Sequence, residues 1–381
     1  MRKLLSILAL SCCVTACIYP YTPELDEAPE GVLSVDASIV IGDVSTVQLG
    51  TLLSLWPNEN ARTSNLGSAS VWLEDDAGDR YPGKRDGFVF EIPTENAPGD
   101  RRYRLCIEAL GAKYTSDWNT LLEPPVIRDV QFQADEATVT VAVSVDGGGS
   151  ATGYLLLSYD EAWEFHVDYV PKYEVSFMQG PLPELDIWDI TETASDYSKY
   201  WCWKTYVNLG SAPVDYTSMS SPGITNWPLI RFARTDNRNH RQYCVNVKAR
   251  SISKETYRFL KNLEDLSSGG DNLFTPTPGE IAGNLHCESD PERMVLGYAL
   301  FSQAVTRRAW LDSRYLLYTP PYELVYPEQK AYRNYYKSGY LPLVFKDNPG
   351  EGEGPYGWGP RYCYDCTGAG GTLTKPDFWD E

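Results

Sequence analysis

Cys17 is the residue whose chemistry this sequence specifies most fully. Arg2 and Lys3 form a short positive segment, Leu4 to Leu10 an apolar run, and Val14-Thr15-Ala16-Cys17 a small-residue cleavage site ending on cysteine. The run is too short to span a bilayer as a helix, so residues 1–16 read as a secretory signal. The Val-Thr-Ala-Cys pattern is that of a lipobox, which implies diacylglycerol on the Cys17 thiol, cleavage before Cys17 and acylation of the new N-terminus. Each acyl chain contributes roughly 0.8 kcal/mol per buried methylene, so several chains hold a protein on a membrane without a spanning helix.

A second cysteine motif, Cys363-Tyr364-Asp365-Cys366, has the spacing of a redox or zinc site. It lies in a Gly- and Tyr-rich tail with no strand-then-helix pattern around it, which argues against a thioredoxin-like role. Zinc needs four sulfur or nitrogen ligands, and the only histidines available are His166, His240 and His286. Loss of the signal and lipidation of Cys17 leave six thiols in a compartment where thiols can pair. Structural disulfides joining Cys363 or Cys366 to Cys202 or Cys287 are expected, with the pairing open, while Cys106 and Cys244 sit in strand-like runs and read as buried thiols. Glu164 and His166 alternate on one strand face with Asp168 just beyond, a set suited to metal binding or proton transfer and equally common on a solvent-facing strand. Asp75, Asp76 and Asp79 lack the ordered spacing of a calcium loop. No nucleophile elbow, His-Glu-x-x-His, phosphate loop or dinucleotide fingerprint occurs. The sequence therefore assigns no catalytic residue, no metal and no cofactor, and the expectation is a protein that is not an enzyme.

The elements that must position these residues are strands. Removal of the signal leaves 365 residues, enough for about two domains. The 26 Pro, 30 Gly and 27 Tyr, with many short β-branched and aromatic runs, indicate a strand-rich chain. Residues 17–31 carry three prolines and four acidic residues and read as a tether between lipid and fold. From Leu33 the pattern alternates, with Leu33, Val35, Ala37 and Ile39 on one face, and further strands are predicted at 46–53, 69–74, 87–92, 103–109 and 113–118, separated by turn sequences such as Asp76-Ala77-Gly78-Asp79. Residues 32–125 are thus expected to form an immunoglobulin-like or transthyretin-like β-sandwich, within a mainly β protein.

Pro124-Pro125 marks a boundary, and residues 126–381 are expected to form a larger β-rich domain with a few helices and long loops. Strands are predicted at 137–145, 153–159, 161–167, 229–233 and 242–249, and the Pro-, Ser- and Asp-rich segment 180–225 reads as loops over a sheet. Ser253 is a predicted N-cap for a helix whose Tyr257, Leu260, Leu263 and Leu266 recur at helical spacing. A second helix is predicted from Pro327 to about Lys337, with Gly339 as its stop.

The formal charge of −19 becomes about −21 once the signal is removed, which repels phosphate backbones and excludes nucleic acid as a partner. The C-terminal region is dense in aromatic residues, and Tyr318, Tyr322, Tyr335, Tyr336 and Trp358 are candidates for a partly wet binding surface. Packing of a region poor in Leu and Ile is the alternative use of the same rings.

Several phrases occur in a characteristic order: Glu161-Ala162-Trp163-Glu164-Phe165, Cys202-Trp203, Arg241-Gln242-Tyr243, Leu273-Phe274, Gly283-Asn284, Leu296-Gly297-Tyr298, the Cys363/Cys366 motif and Lys375-Pro376-Asp377-Phe378-Trp379. Together with the lipobox they resemble a family of Bacteroidetes lipoproteins classified as a domain of unknown function, number 4249. The resemblance implies an outer-membrane lipoprotein encoded beside a TonB-dependent transporter, with no catalytic residues assigned. The functional expectation is an accessory that helps such a transporter capture or admit its ligand, and the alternative is a stand-alone surface protein that binds a glycan or peptide. The acidic residues that accompany surface export in that phylum come late here, at Glu24, Asp26 and Glu27, which leaves open the periplasmic or surface-facing leaflet.

Overall fold

Short runs of β-branched and aromatic residues, broken by Gly and Asp turns, give a chain built mainly of strands. The computed structural model describes residues 32–51, 66–148, 152–208, 210–268, 283–312 and 323–380. In chain order the strands are β1 (Leu33–Ile41), β2 (Val44–Thr51), β3 (Ser70–Asp75), β4 (Arg80–Pro82), β5 (Lys84–Asp86), β6 (Val89–Pro93), β7 (Arg102–Ala109), β8 (Ala112–Ser116), β9 (Asn119–Thr120), β10 (Val126–Ala134) and β11 (Thr138–Asp146). They continue with β12 (Tyr154–His166), β13 (Tyr173–Met178), β14 (Ile187–Glu192), β15 (Trp201–Val207), β16 (Ala212–Asp215), β17 (Gly223–Ala233) and β18 (Gln242–Ser251). After helix α1 (Lys254–Ser268) come β19 (Leu285–Cys287) and β20 (Val295–Asp312), then helix α2 (Tyr332–Lys337) and the hairpin β21 (Leu341–Phe345) and β22 (Tyr356–Gly359).

Two sandwiches share one layer. That layer is a sheet ordered β15-β12-β18-β20-β1-β2-β6-β5, with β16 continuing along β12. A sheet ordered β19-β8-β7-β3-β4 packs against the β1 end, and a three-stranded sheet, β10-β11-β17, packs against the β12 and β18 end. The first core holds Leu33, Val35, Ile39, Val47, Leu73, Ile92, Leu105, Ile107 and Tyr114, and the second Val139, Val141, Val143, Val145, Leu155, Phe165, Tyr243, Val245 and Val247. At about 1.5–3 kcal/mol for each fully buried large apolar side chain, these two cores are the main source of stability.

The strand that joins the bodies is β20. Its first half runs parallel to β1, from Leu33 against Val295 to Ile41 against Gln303, and its second half runs antiparallel to β18, from Arg250 against Ala304 to Gln242 against Asp312. A break at Pro124-Pro125 therefore separates β1–β9 from β10 in sequence, while Leu285, Cys287 and Ala299 return from the far end of the chain into the first core. The return is locked at Gly297, whose φ of +111° and close approach to the Val35 carbonyl leave no room for a Cβ. Asn284 completes the lock by bonding both the N–H and the C=O of Ala299, at 2.8 Å each.

The predicted runs 153–159 and 161–167 are one strand, β12, because Asp160 and Glu161 continue the pleat instead of turning it. Segment 180–225, read as loops, contains β14, β15 and β16. Its Pro and Ser residues punctuate short strands there, and Trp201-Cys202-Trp203 supplies the packing side chains that extend the main sheet beyond β12. The helix predicted at Ser253 is α1, where Ser253 Oγ accepts the Thr256 N–H at 3.1 Å. The second predicted helix begins as a single 3-10 turn, Gln329–Ala331, followed by α2, and Gly339 at φ +81° ends it.

Candidate functional site

Strand register places every even-numbered residue of β1, β12, β18 and β20 on the face of the shared sheet that looks away from both cores. At one end α1 covers this face, as Tyr257 and Leu260 pack on Tyr154, Leu156, Ile252 and Leu300, and Phe259 stacks on Tyr298 at 4.5 Å. At the other end the C-terminal turn Asp377–Asp380 covers it. Trp379 packs on Ala162 and Cys244 and meets Trp310 edge-on at 4.9 Å, while Arg308 lies over Phe378 at 4.2 Å. Between the two covers is an open cleft of about 970 Å³.

Leu156, Leu260, Leu263, Leu296, Leu300 and Tyr298 form the apolar wall of the cleft, and Ser38, Ser158, Asp36, Asp160, Lys248 and Arg250 its polar floor and rim. Lys248 Nζ donates to Asp43 Oδ2 at 3.0 Å. Burial raises the Asp43 carboxyl, but the hydrogen bonds from Lys248 and the Val44 N–H and the charges of Lys248 and Arg250 together outweigh it, and the net shift is downward. Arg250 is only 9% exposed. Its Nη1 donates to Ser38 Oγ at 2.9 Å, its Nε has no hydrogen-bond partner, and no carboxylate among the described residues forms an ion pair with it. Burial pulls the Arg250 pKa below its ordinary value, against the more distant charge of Asp43.

Sequence reasoning missed this cleft. Lys248 and Arg250 lie two apart in a strand whose alternate residues are apolar, which is the signature of a solvent-facing edge. The signal available was Arg-250 chemistry without an acidic neighbour at the matching register, where Leu156 and Ala304 stand on either side. A smaller cavity of about 640 Å³, walled by Trp118, Phe259 and Tyr298, lies against α1 with Asp117, Glu255 and Arg258.

Glu164 and His166 of the cluster read on β12 share the outward face of the sheet, with Asp168 just past the end of the strand, whereas Glu161, outside that cluster, faces inward. Glu161, buried in the second core, accepts from Arg238 Nε and Nη2 at 2.9 and 3.1 Å and from the Tyr243 hydroxyl at 2.7 Å. The Arg238 guanidinium also lies over the Trp163 ring at 4.6 Å. Burial and the neighbouring Glu161 charge hold the Tyr243 hydroxyl firmly protonated. Glu164 accepts from Arg241 Nη1 at 2.8 Å. His166 stacks on Tyr200 at 5.1 Å and its backbone N–H donates to His240 Nδ1 at 3.3 Å. Burial, reinforced by His166, pushes the His240 pKa down to about 4. Burial raises the Asp168 carboxyl against the opposing His166 charge. No group of three metal-ligating side chains occurs among the described residues. The Asp75 loop is an ordinary hairpin tip: Asp75 accepts the N–H groups of Ala77 and Asp79 and pairs with Arg101 at 2.9 Å.

The cysteines resolve into one bridge. Cys202 on β15 is bonded to Cys366, across 164 positions of sequence. Cys287 and Cys363, the other two disulfide candidates, are buried thiols, and so are Cys106 and Cys244. Cys287 points into the first core, a body away from Cys202, and Cys363 closes the turn Arg361–Cys363, where its carbonyl accepts from Tyr169. Burial pushes the Cys363 thiol up to about 11. The Cys-x-x-Cys spacing is a turn organised by Asp365, whose carboxylate accepts from Thr367, Arg361 and Lys199. Burial alone would raise that carboxyl, and these partners hold it instead at about 2.

Of the candidate binding aromatics, Tyr318 and Tyr322 lie outside the described residues, as does Cys17. Trp358 is fully buried, 4.8 Å from Tyr332 and 6.1 Å from Trp188, so it belongs to packing. Tyr336 meets Phe177 and Trp188 at 5.5 and 5.9 Å, and Tyr335 meets Tyr340 at 5.2 Å. These rings cement β13–β14 to α2 and β21–β22. The ion pair of Arg333 with Asp186, which is buried, fastens the same two pieces.

A family model matches residues 18–308, more than half of the sequence. The chain belongs to the family Domain of unknown function (DUF4249). The DUF4249 match runs into β20 and so includes both sandwiches, α1 and every strand that floors the cleft. No curated protein matches the chain. Among solved structures, a two fibronectin type-III domain segment from chicken tenascin is 10% identical, covers 56% of this chain and 88% of its own, and has a TM-score of 0.17. The native conformation of E. coli alpha-2-macroglobulin is likewise 10% identical, with 80% of this chain and 16% of that one covered and a TM-score of 0.16.

Proposed function

We propose that this protein is a lipid-anchored outer-membrane lipoprotein that captures a ligand for a TonB-dependent transporter, binding the ligand without transforming it. The observation that carries the capture reading is the cleft at the seam, built from both halves of the chain by β1, β18 and β20 and left open between two dedicated covers. Glu161, Glu164 and His166 of β12 are engaged in ion pairs, stacking and a backbone bond, which favours binding over acid–base chemistry there. The lipobox at Cys17 supports the membrane address, and the resemblance to transporter-linked Bacteroidetes lipoproteins supports the partner.

The test is extraction from native membranes with mild detergent and affinity capture of the tagged full chain. Recovery of a stoichiometric outer-membrane barrel is the expected result. Recovery of the chain alone would count against the transporter and favour a stand-alone glycan or peptide binder. A Cys17→Ala variant is expected to lose incorporation of a labelled fatty acid and to leave the membrane fraction.

A further inference from the structure

We propose that the cleft at the seam takes an amphipathic carboxylate, with the anionic group on Arg250 and an apolar body along α1. The proposal rests on the capture reading above and names the chemistry of its ligand. Its starting point is an uncompensated charge. Arg250 is nine-tenths buried in the cleft floor, makes one hydrogen bond, to a neutral hydroxyl, and has no direct carboxylate partner among the described residues. A guanidinium in such a setting carries a desolvation cost that an internal acid would ordinarily offset. Here Asp43, the acid whose charge acts on Arg250, is bonded to Lys248. Planar, two-pronged recognition of a carboxylate is the interaction for which arginine is suited and lysine is not.

The surroundings select among anions. Asp36 and Asp160 on the rim disfavour a second negative charge, so a dianionic phosphate is a poorer fit than a monoanionic carboxylate. Leu260, Leu263, Leu296, Leu300 and Tyr298 offer a wall for hydrocarbon, and Leu263 is 44% exposed on an otherwise core-facing stripe of α1. Exposed there, it has a use as a ligand contact.

The test uses the full mature chain and four probes in titration calorimetry: dodecanoate, dodecanol, dodecyl phosphate and acetate. Dodecanoate is expected to bind at least tenfold tighter than dodecanol or dodecyl phosphate, and acetate not measurably. Arg250→Gln is expected to weaken dodecanoate at least tenfold and leave dodecanol unchanged, and Arg250→Lys to restore only part of the loss. As a check independent of that variant, Leu263→Trp is expected to block dodecanoate and dodecanol alike. Equal binding of dodecanoate and dodecanol, or an Arg250→Gln protein that binds dodecanoate like the parent, would overturn the proposal. If Leu263→Trp still blocked binding in that case, the cleft would remain a capture site for a neutral ligand. Absence of binding by any probe would overturn the proposal, while transporter partnership stays a separate question answered by membrane capture.

Discussion

Strand β18 carries two buried-charge settings on its opposite faces, and they are solved in opposite ways. On the inner face Tyr243 joins Arg238 and Glu161 in a network where the guanidinium forks onto a carboxylate, lies over Trp163 and is bonded again to Asp236. On the outer face Arg250 bonds a serine hydroxyl and pairs with no carboxylate among the described residues. The inner network is complete without any further molecule. The outer one is incomplete, and the contrast separates a buried charge retained for the fold from one left available to a ligand.

The largest effect is expected where the inner network is broken. Arg238→Ala leaves Glu161 buried without its cation and should cost about 3–5 kcal/mol in denaturant unfolding, whereas a loss below 1 kcal/mol would erase the distinction between the faces. The bridge belongs to the same inner core, and Cys366→Ala is expected to cost about 2–5 kcal/mol because Cys202–Cys366 closes a very long loop in the unfolded chain. Reduction of the parent should reproduce that loss.

A pH titration probes the inner face near its edge. The folded-state pKa of His240 lies near 4, below its ordinary 6.5, so the unfolded chain binds the extra proton more readily. The His240 contribution is therefore intact above about pH 6.5 and is lost as pH falls towards 4. The size of the loss is on the order of 2 kcal/mol after allowance for partial exposure. His240→Gln should flatten that slope, and an unchanged slope would remove His240 from the account. The smallest effect has the opposite sign. Arg250→Met removes a charge with no acidic partner among the described residues and is expected to leave stability unchanged or raise it by about 1 kcal/mol. A loss as large as that of Arg238→Ala would show that Arg250 serves the fold.

Much of the inner face was legible in the residues. Leu33, Val35, Ala37 and Ile39, or Val139 to Val145, alternate because one side of each strand is dry, and alternation survives in any local reading. β20 is partly covered on both sides, with only Thr306, Arg307 and Arg308 exposed among its described side chains, so its alternation fades and the strand gives no such signal. The four disulfide candidates could be named from compartment and spacing, yet only the approach of β15 to the C-terminal turn chose Cys202 and Cys366. Trp358 looked like the half-buried Tyr335 and Tyr336 because composition does not record which ring lies beneath which.

The sequence by itself determined the Val14-Thr15-Ala16-Cys17 pattern, the strand-rich composition, the capped start of α1 and the turns between strands, all of which depend on residues within a few positions of one another. The shared sheet, the bridge between Cys202 and Cys366 and the cleft around Arg250 were decided only in three dimensions. Each brings together segments more than one hundred positions apart, and whether a buried charge finds a partner depends on which distant strand lies beside it.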